Sequence, residues 1–137
     1  MIARYSRPQM AKIWSDESRL RVMMRVEQVF LEVLADEKEI PGPELKALQA
    51  LMDRSFLDAS RSKEAFSGHE VIGLLQAVSV EVQEKAPNLG RYLHYGLTSS
   101  DVLDTALAIQ LRDSCDLLLV GWEEVASRLR ALARKHE

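Results

Sequence analysis

The fold is decided by residues 98–137, which read TSSDVLDTALAIQLRDSCDLLLVGWEEVASRLRALARKHE. Apolar residues recur there at every third or fourth position, and no proline interrupts them. This spacing is typical of a helix. The main apolar stripe consists of Leu103, Leu107, Leu111, Ser114, Leu118, Trp122, Val125, Leu129 and Leu132. We therefore predict one helix of roughly 35 residues, about 50 Å long at about 1.5 Å per residue.

A helix of this length needs partner helices. A second set of apolar residues widens the stripe beyond one face, namely Val102, Ala106, Ile109, Leu117 and Val120. Partners are therefore expected on more than one side of the helix. Because the rest of the chain contains too little helix to cover both sets, we predict that partners come from outside the chain and that the chain self-associates.

The preceding residues also have helical patterns. Apolar residues at helical spacing begin after Asp16 and stop at Pro41, a second short helix is predicted from Pro43 to about residue 52, and a third covers 69–85. Residues 1–15 are interpreted as an ordered arm and 91–97 as an irregular connection, and no alternating strand pattern occurs. We predict an all-α fold with an N-terminal helical domain at 1–97, followed at 98–137 by the first long helix of a central bundle.

Composition excludes several classes of protein. A chain of 137 residues that is 47% hydrophobic and 28% charged can bury a core. Its net charge of −3 provides no basic field for a nucleic acid. The longest apolar run, 117–120, is far shorter than the ~20 residues of a membrane span. With one cysteine, Cys115, and no signal-like start, we predict a cytoplasmic protein without nucleic-acid or membrane partners.

The residues Thr98-Ser99-Ser100-Asp101 stand directly before the long helix. Such side chains are the preferred caps of any helix, so a capping cluster is one interpretation. The other is an anion site, because a helix N-terminus offers free N–H groups to a carboxylate or phosphate. Three hydroxyls in a row exceed what one cap needs, but the spacing leaves both interpretations open.

Other candidate residues lie at the ends of predicted elements. His69 and Glu70 begin the helix at 69–85, and His94 lies four residues before Thr98. Each histidine is either a structural residue or part of a site, since functional side chains gather at element ends. In the arm, Arg4, Tyr5 and Arg7 either lie in solvent or form a guanidinium grip on a phosphate.

Three blocks of the sequence resemble the adenylosuccinate lyase family of the fumarase and aspartase superfamily. They are the run HYGLTSSDVLDTA at 94–106, the opening RYSRPQM at 4–10 followed by Ile13 and Trp14, and GHEVI at 68–72. The blocks follow the family's order, and the similarity covers the chain. Two positions depart from the family pattern, because Gly68 stands where a basic residue is common and Glu70 where aspartate is usual.

The resemblance implies an enzyme that releases fumarate from adenylosuccinate, giving AMP, and from the succinyl-carboxamide ribotide, giving AICAR. It implies no cofactor and no metal, and a cytoplasmic homotetramer whose active sites draw on several subunits. By resemblance, Arg4 and Tyr5 hold the nucleotide phosphate and Thr98 and Ser99 hold the succinyl carboxylates. Gly68, His69, Glu70 and His94 contact the substrate, and His69 supplies or supports acid catalysis.

The family's other catalytic histidine and its serine-bearing mobile loop have no counterpart in the 137 residues. We therefore expect that the chain is the N-terminal part of a longer enzyme and is inactive alone. Carboxymuconate cycloisomerase, of the same superfamily, has a similar His-x-Gly-x-Thr-Ser stretch and is the rival enzyme. A non-catalytic helical assembly module, with structural histidines and hydroxyl caps, is the rival from another class.

Overall fold

The structure is a computed structural model that describes residues 3–37, 46, 59–60, 63, 65, 67–85, 87–88 and 90–136. The α-helices in these ranges are α1 (Pro8–Ile13), α2 (Asp16–Asp36), α3 (Glu70–Lys85) and α4 (Ser99–Lys135). Short 3-10 helices cover Ala3–Tyr5 and Gly90–Tyr92. These ranges contain no strand, which confirms the all-α prediction. Most of the short helix predicted from Pro43 to about residue 52 lies outside the described residues.

Helix α2 begins where the sequence predicts it. The Ser15 side chain caps it by accepting the N–H of Ser18, at 3.1 Å. Asp16 and Glu17 in the first turn complement the positive end of the helix dipole. The helix ends at Asp36, before the Pro41 at which its apolar pattern stops.

From residue 3 onward the predicted N-terminal arm consists largely of a short 3-10 helix and α1. Pro8 occupies the first turn of α1, where its missing N–H has no partner to lose. The carbonyl oxygen of Ile13, the last residue of α1, accepts a hydrogen bond from Nε2 of Gln110 at 2.7 Å. Gln110 is buried, so this bond fixes the end of α1 against α4. The six-residue helix is too short for its periodicity to be seen in the sequence.

The core lies where α2, α3 and the first half of α4 meet. Its buried apolar residues are Leu20, Met23, Met24, Leu31, Val71, Leu74, Ala77, Val78, Val82, Val102 and Ala106. A pair of short contacts also joins α2 to α3, since Arg19 donates from Nε to Oε1 of Glu70 at 2.6 Å and from Nη2 to Oε2 at 2.9 Å. The apolar contacts hold the N-terminal part of α4 in place, and with it the hydroxyl cluster.

Only the first half of α4 is buried within the chain. Its buried residues, Val102, Ala106, Gln110 and Ser114, follow one another in steps of four. In the main apolar stripe, Leu118, Trp122 and Leu129 are 62%, 75% and 61% exposed, as expected for a helix that this chain cannot cover, whereas Ser114 of the same stripe is buried. The face that packs internally combines Val102 and Ala106 of the second apolar set with Gln110 and Ser114. No helix in the described ranges is long and apolar enough to cross a membrane.

Candidate active site

A capping box forms the N-terminus of α4. The Oγ1 of Thr98 accepts the N–H of Asp101 at 3.3 Å and donates to Oδ2 of Asp101 at 2.8 Å. The same Oδ2 accepts the backbone N–H of Thr98 at 2.6 Å. The pKa of Asp101 is lowered, first by this backbone hydrogen bond and then by the Thr98 hydroxyl, with a smaller effect from His94. The Thr98 hydroxyl is thus used both as donor and as acceptor within the cap.

Ser99 stands apart from the cap. It is the first residue of α4 and is half-buried. No hydrogen bond joins its hydroxyl to any residue of the described ranges. A free hydroxyl beside the first N–H groups of a helix is suited to an anionic oxygen. The structure therefore separates two roles that the sequence could not separate. Thr98 and Asp101 form the cap, and the Ser99 hydroxyl is available to a ligand.

His94 is held by a residue that the sequence analysis missed. The carboxylate of Glu27, in the middle of α2, contacts Nδ1 of His94 at 2.6 Å through Oε1. Its Oε2 accepts the backbone N–H of His94 at 2.9 Å. A signal for Glu27 does exist in the sequence, because it continues the apolar spacing of Leu20, Met23 and Met24, where a charged residue is unusual.

The loop at 91–97 is a series of tight turns, in agreement with the irregular connection predicted there. Tyr95 donates its N–H to the carbonyl of Tyr92 at 3.1 Å, and Leu97 donates to the carbonyl of His94 at 3.3 Å. The φ angle of His94 is +60°, unlike that of any other non-glycine residue in the described ranges. A side chain in this left-handed region costs of order 1–3 kcal/mol and persists where its surroundings fix it.

The predicted block at 68–70 forms the start of α3. Gly68 has a φ of +69°, and a Cβ built there would meet no atom within 4 Å. Glycine adopts this φ without strain, and a side chain at this position would meet backbone strain but no steric clash. The Nδ1 of His69 is buried and has no hydrogen-bond partner within the described ranges. Any ligand of His69 therefore meets the ring through its other edge or reorganises its surroundings.

Both oxygens of Glu70 are occupied by Arg19. The hydrogen bond to Glu70 is also the main reason that the pKa of Arg19 is raised. A substrate group that bound Glu70 would have to compete with a guanidinium already in a fork-like contact. The substrate contact predicted for Glu70 thus remains a prediction, beside an observed role in joining α2 to α3.

The arm lies toward the other part of α4. Arg4 stacks over the ring of Tyr5, with 4.8 Å between its guanidinium carbon and the ring centroid, and both side chains are exposed. Arg7 lies against Gly121, since a Cβ built on that glycine would be 3.6 Å from Nη1 of Arg7. Gly121 is about 33 Å along the helix from Ser99 at about 1.5 Å per residue. Arg7, which follows the proposed phosphate-binding residues Arg4 and Tyr5, therefore lies near the middle of α4, away from the hydroxyl cluster at the start of the helix.

The structure thus gathers only some of the predicted site residues. His94 lies in the turn before the α4 N-terminus and contributes, as the smallest cause, to the lowered pKa of Asp101. No hydrogen bond among the described residues joins His69 to His94 or to Ser99. The same residues include no group of three or more His, Cys, Asp or Glu side chains arranged to hold a metal ion.

Comparison with known proteins gives relatives over the whole chain. It is 40% identical to the adenylosuccinate lyase of Synechocystis over 99% of its length, and 32% identical to that of Aquifex aeolicus over 100%. It spans only about 30% of the length of those relatives. It is also 32% identical to the 3-carboxy-cis,cis-muconate cycloisomerase of Pseudomonas putida over 98% of its length.

A solved structure resembles the fold. The crystal structure of the 3-carboxy-cis,cis-muconate lactonizing enzyme of Pseudomonas putida matches 85% of this chain and 27% of its own, with a TM-score of 0.77 and 32% identity. The cycloisomerase of Acinetobacter calcoaceticus gives a TM-score of 0.69 at 26% identity, over 78% of this chain and 26% of its own. The lyase family model (Lyase_1) matches residues 3–137. The chain therefore belongs to the lyase family.

Proposed function

We propose that the full-length protein that contains this chain is an adenylosuccinate lyase. It would eliminate fumarate from adenylosuccinate to give AMP, and from the succinyl-carboxamide ribotide to give AICAR, without a cofactor. The observation that carries the proposal is the similarity to adenylosuccinate lyases, which reaches 40% identity and runs through the candidate site residues from end to end of the chain.

The chemistry of such an elimination matches the residues at the start of α4. A base removes the proton beside a succinyl carboxylate, the C–N bond breaks, and an acid protonates the departing nitrogen. Negative charge that develops on the carboxylate needs donors that are already oriented. In our proposal Ser99 and the first N–H groups of α4 supply these donors, with Thr98 and Asp101 holding the turn. His69 supplies or supports the acid.

We further propose that the phosphate group of the nucleotide binds at Arg4 and Tyr5, and that the enzyme is a cytoplasmic homotetramer. Two observations support a shared site. The exposed apolar residues of α4 need partner helices, as in a bundle. Arg7 of the arm lies against Gly121, about 33 Å along α4 from Ser99, so in our proposal one subunit contributes its arm and its hydroxyl cluster to different active sites.

The test uses the purified full-length protein with each candidate substrate in turn. Adenylosuccinate should give equimolar AMP and fumarate, measured by chromatography. The second candidate activity is the cyclisation of 3-carboxy-cis,cis-muconate, favoured by the TM-score of 0.77. Turnover of the muconate alone would replace our proposal with the rival enzyme, and turnover of none of the three would favour the assembly module.

The 137-residue chain alone should release no fumarate above background. The reason is that the second catalytic histidine and the serine-bearing loop of the family have no counterpart in its sequence. Activity in the purified chain, with host enzyme excluded by a mock purification, would show that the groups described above suffice.

A further inference from the structure

Glu27 is an acidic side chain in an apolar core. It is 1% exposed and lies on the buried face of α2, with Met23, Met24 and Leu31 as neighbours along the helix. Burial of a carboxylate is unfavourable unless hydrogen bonds replace the water it loses. The position must therefore be explained by what the carboxylate contacts.

Both contacts of Glu27 go to one residue, His94, which lies 67 positions later. One oxygen accepts the backbone N–H and the other contacts Nδ1, so the carboxylate fixes both the main chain and the ring of His94. The contact of Glu27 with the backbone N–H of His94 stabilises the left-handed conformation of His94, which a free histidine avoids. Glu27 is not needed to join α2 to α3, because the ion pair between Arg19 and Glu70 already connects these two helices.

The second contact selects a tautomer. A carboxylate accepts hydrogen bonds only, so a neutral ring beside it carries its proton on Nδ1. The opposite nitrogen, Nε2, is bonded to no residue of the described ranges, and the side chain is 23% exposed. The accessible edge of the ring is thus the one with a free lone pair, next to the α4 N-terminus.

We propose that Glu27 is a positioning residue, which holds His94 as its Nδ1–H tautomer with Nε2 directed to the substrate. The substrate part of this statement rests on the proposed function. In it, Nε2 accepts or returns a proton, or accepts a hydrogen bond, at a point fixed by Glu27. Carboxylates orient metal-binding histidines in this way, and there loss of the carboxylate costs about 10–100-fold in metal affinity or activity, which we take as the scale of the effect expected here.

The substitution Glu27→Gln tests whether Glu27 positions the His94 ring or merely fills space in the core. A glutamine at position 27 can still accept the backbone N–H of His94 through its carbonyl oxygen. Its amide, however, donates to Nδ1, which requires the proton to move to Nε2. Glu27→Gln should therefore preserve the fold and reverse the tautomer.

The first experiment is nitrogen-15 NMR of the histidine-labelled chain, at a pH where the ring signals show the neutral form. The His94 signals are assigned by their loss in His94→Gln. Wild type should show a protonated Nδ1 and Glu27→Gln a protonated Nε2. The control Glu17→Gln changes a partly exposed carboxylate of the same helix that pairs with Arg21 and not with His94, and it should keep the wild-type pattern. A wild-type ring protonated at Nε2 overturns the proposal and needs no variant to fold.

The second experiment measures kinetics of the full-length protein. Glu27→Gln should lower kcat about 10–100-fold with KM changed less than about threefold, while Glu17→Gln matches wild type. A reversed tautomer with unchanged kcat would show that Glu27 is only structural. If wild type itself turns over none of the substrates, the proposed function fails, and the wild-type tautomer alone decides whether Glu27 holds His94 as described.

Discussion

Two neighbouring substitutions in the full-length protein should affect different properties. Thr98→Ala should lower the stability, and Ser99→Ala should lower the catalytic rate. The Thr98 hydroxyl accepts one hydrogen bond and donates another within the capping box. Loss of such a cap costs about 0.5–2 kcal/mol of unfolding free energy. Ser99 has no bond to lose in the described structure, so Ser99→Ala should change the stability little.

The kinetic magnitude follows from the charge on the substrate. A hydrogen bond from a hydroxyl to a charged group contributes about 1.5–3 kcal/mol, so Ser99→Ala should lower kcat/KM about ten- to a hundredfold. Melting temperatures are compared at one protein concentration and one scan rate, and kcat/KM is taken from fumarate release. Wild-type kcat/KM in Ser99→Ala, together with a clearly lowered melting temperature, would show that Ser99 is a cap and not a substrate contact.

Three further predictions concern the rest of the chain. The pKa of Asp101 is lowered in the folded state, so the Asp101 carboxylate stabilises the fold at pH values above its ordinary pKa of about 3.9. This stabilisation is lost as the pH falls through the pKa that Asp101 has in the folded state. In denaturation curves measured against pH, Asp101→Asn should therefore lose less stability on acidification than wild type does. The chain should self-associate in sedimentation equilibrium, and Trp122→Glu should weaken the association; a strictly monomeric wild type would contradict this. Arg19→Ala should cost only about 0.2–1 kcal/mol of unfolding free energy, because both partners of the pair are about a third exposed. If Glu70 also binds substrate, Glu70→Gln should lower kcat/KM more than Arg19→Ala does.

Helices α2 and α4 could be predicted from the sequence because their capping residues and apolar spacing involve residues that are close together in the chain. Helix α2 begins at Asp16 since Ser15 is a capping residue and an apolar stripe follows. The long helix α4 follows from an apolar repeat without proline, and its start follows from the cluster at Thr98. By contrast, the six-residue α1 has no detectable repeat, and its proline is as common in turns as at the first position of a helix.

The candidate site was only partly accessible. The sequence identified Ser99, His69 and His94 through their places at element ends and through a family resemblance. Thr98 and Ser99 are adjacent and chemically alike, so only three-dimensional contacts could show which hydroxyl is used by the cap. The family resemblance implies a substrate contact for Glu70, but the sequence spacing does not predict the pairing of Glu70 with Arg19, which lies 51 positions away.

What the sequence by itself determined is the helical fold and the family, since apolar periodicity and contiguous motifs are properties of neighbouring residues. What only the tertiary structure decided is which side chains meet. Glu27 and His94 are 67 positions apart and come together because α2 packs against the turn before α4. The same packing chooses the internal face of α4, with Val102 buried and Trp122 exposed, although both are apolar. Such choices depend on which surfaces fit and on how many helices the chain offers, and a one-dimensional pattern contains neither.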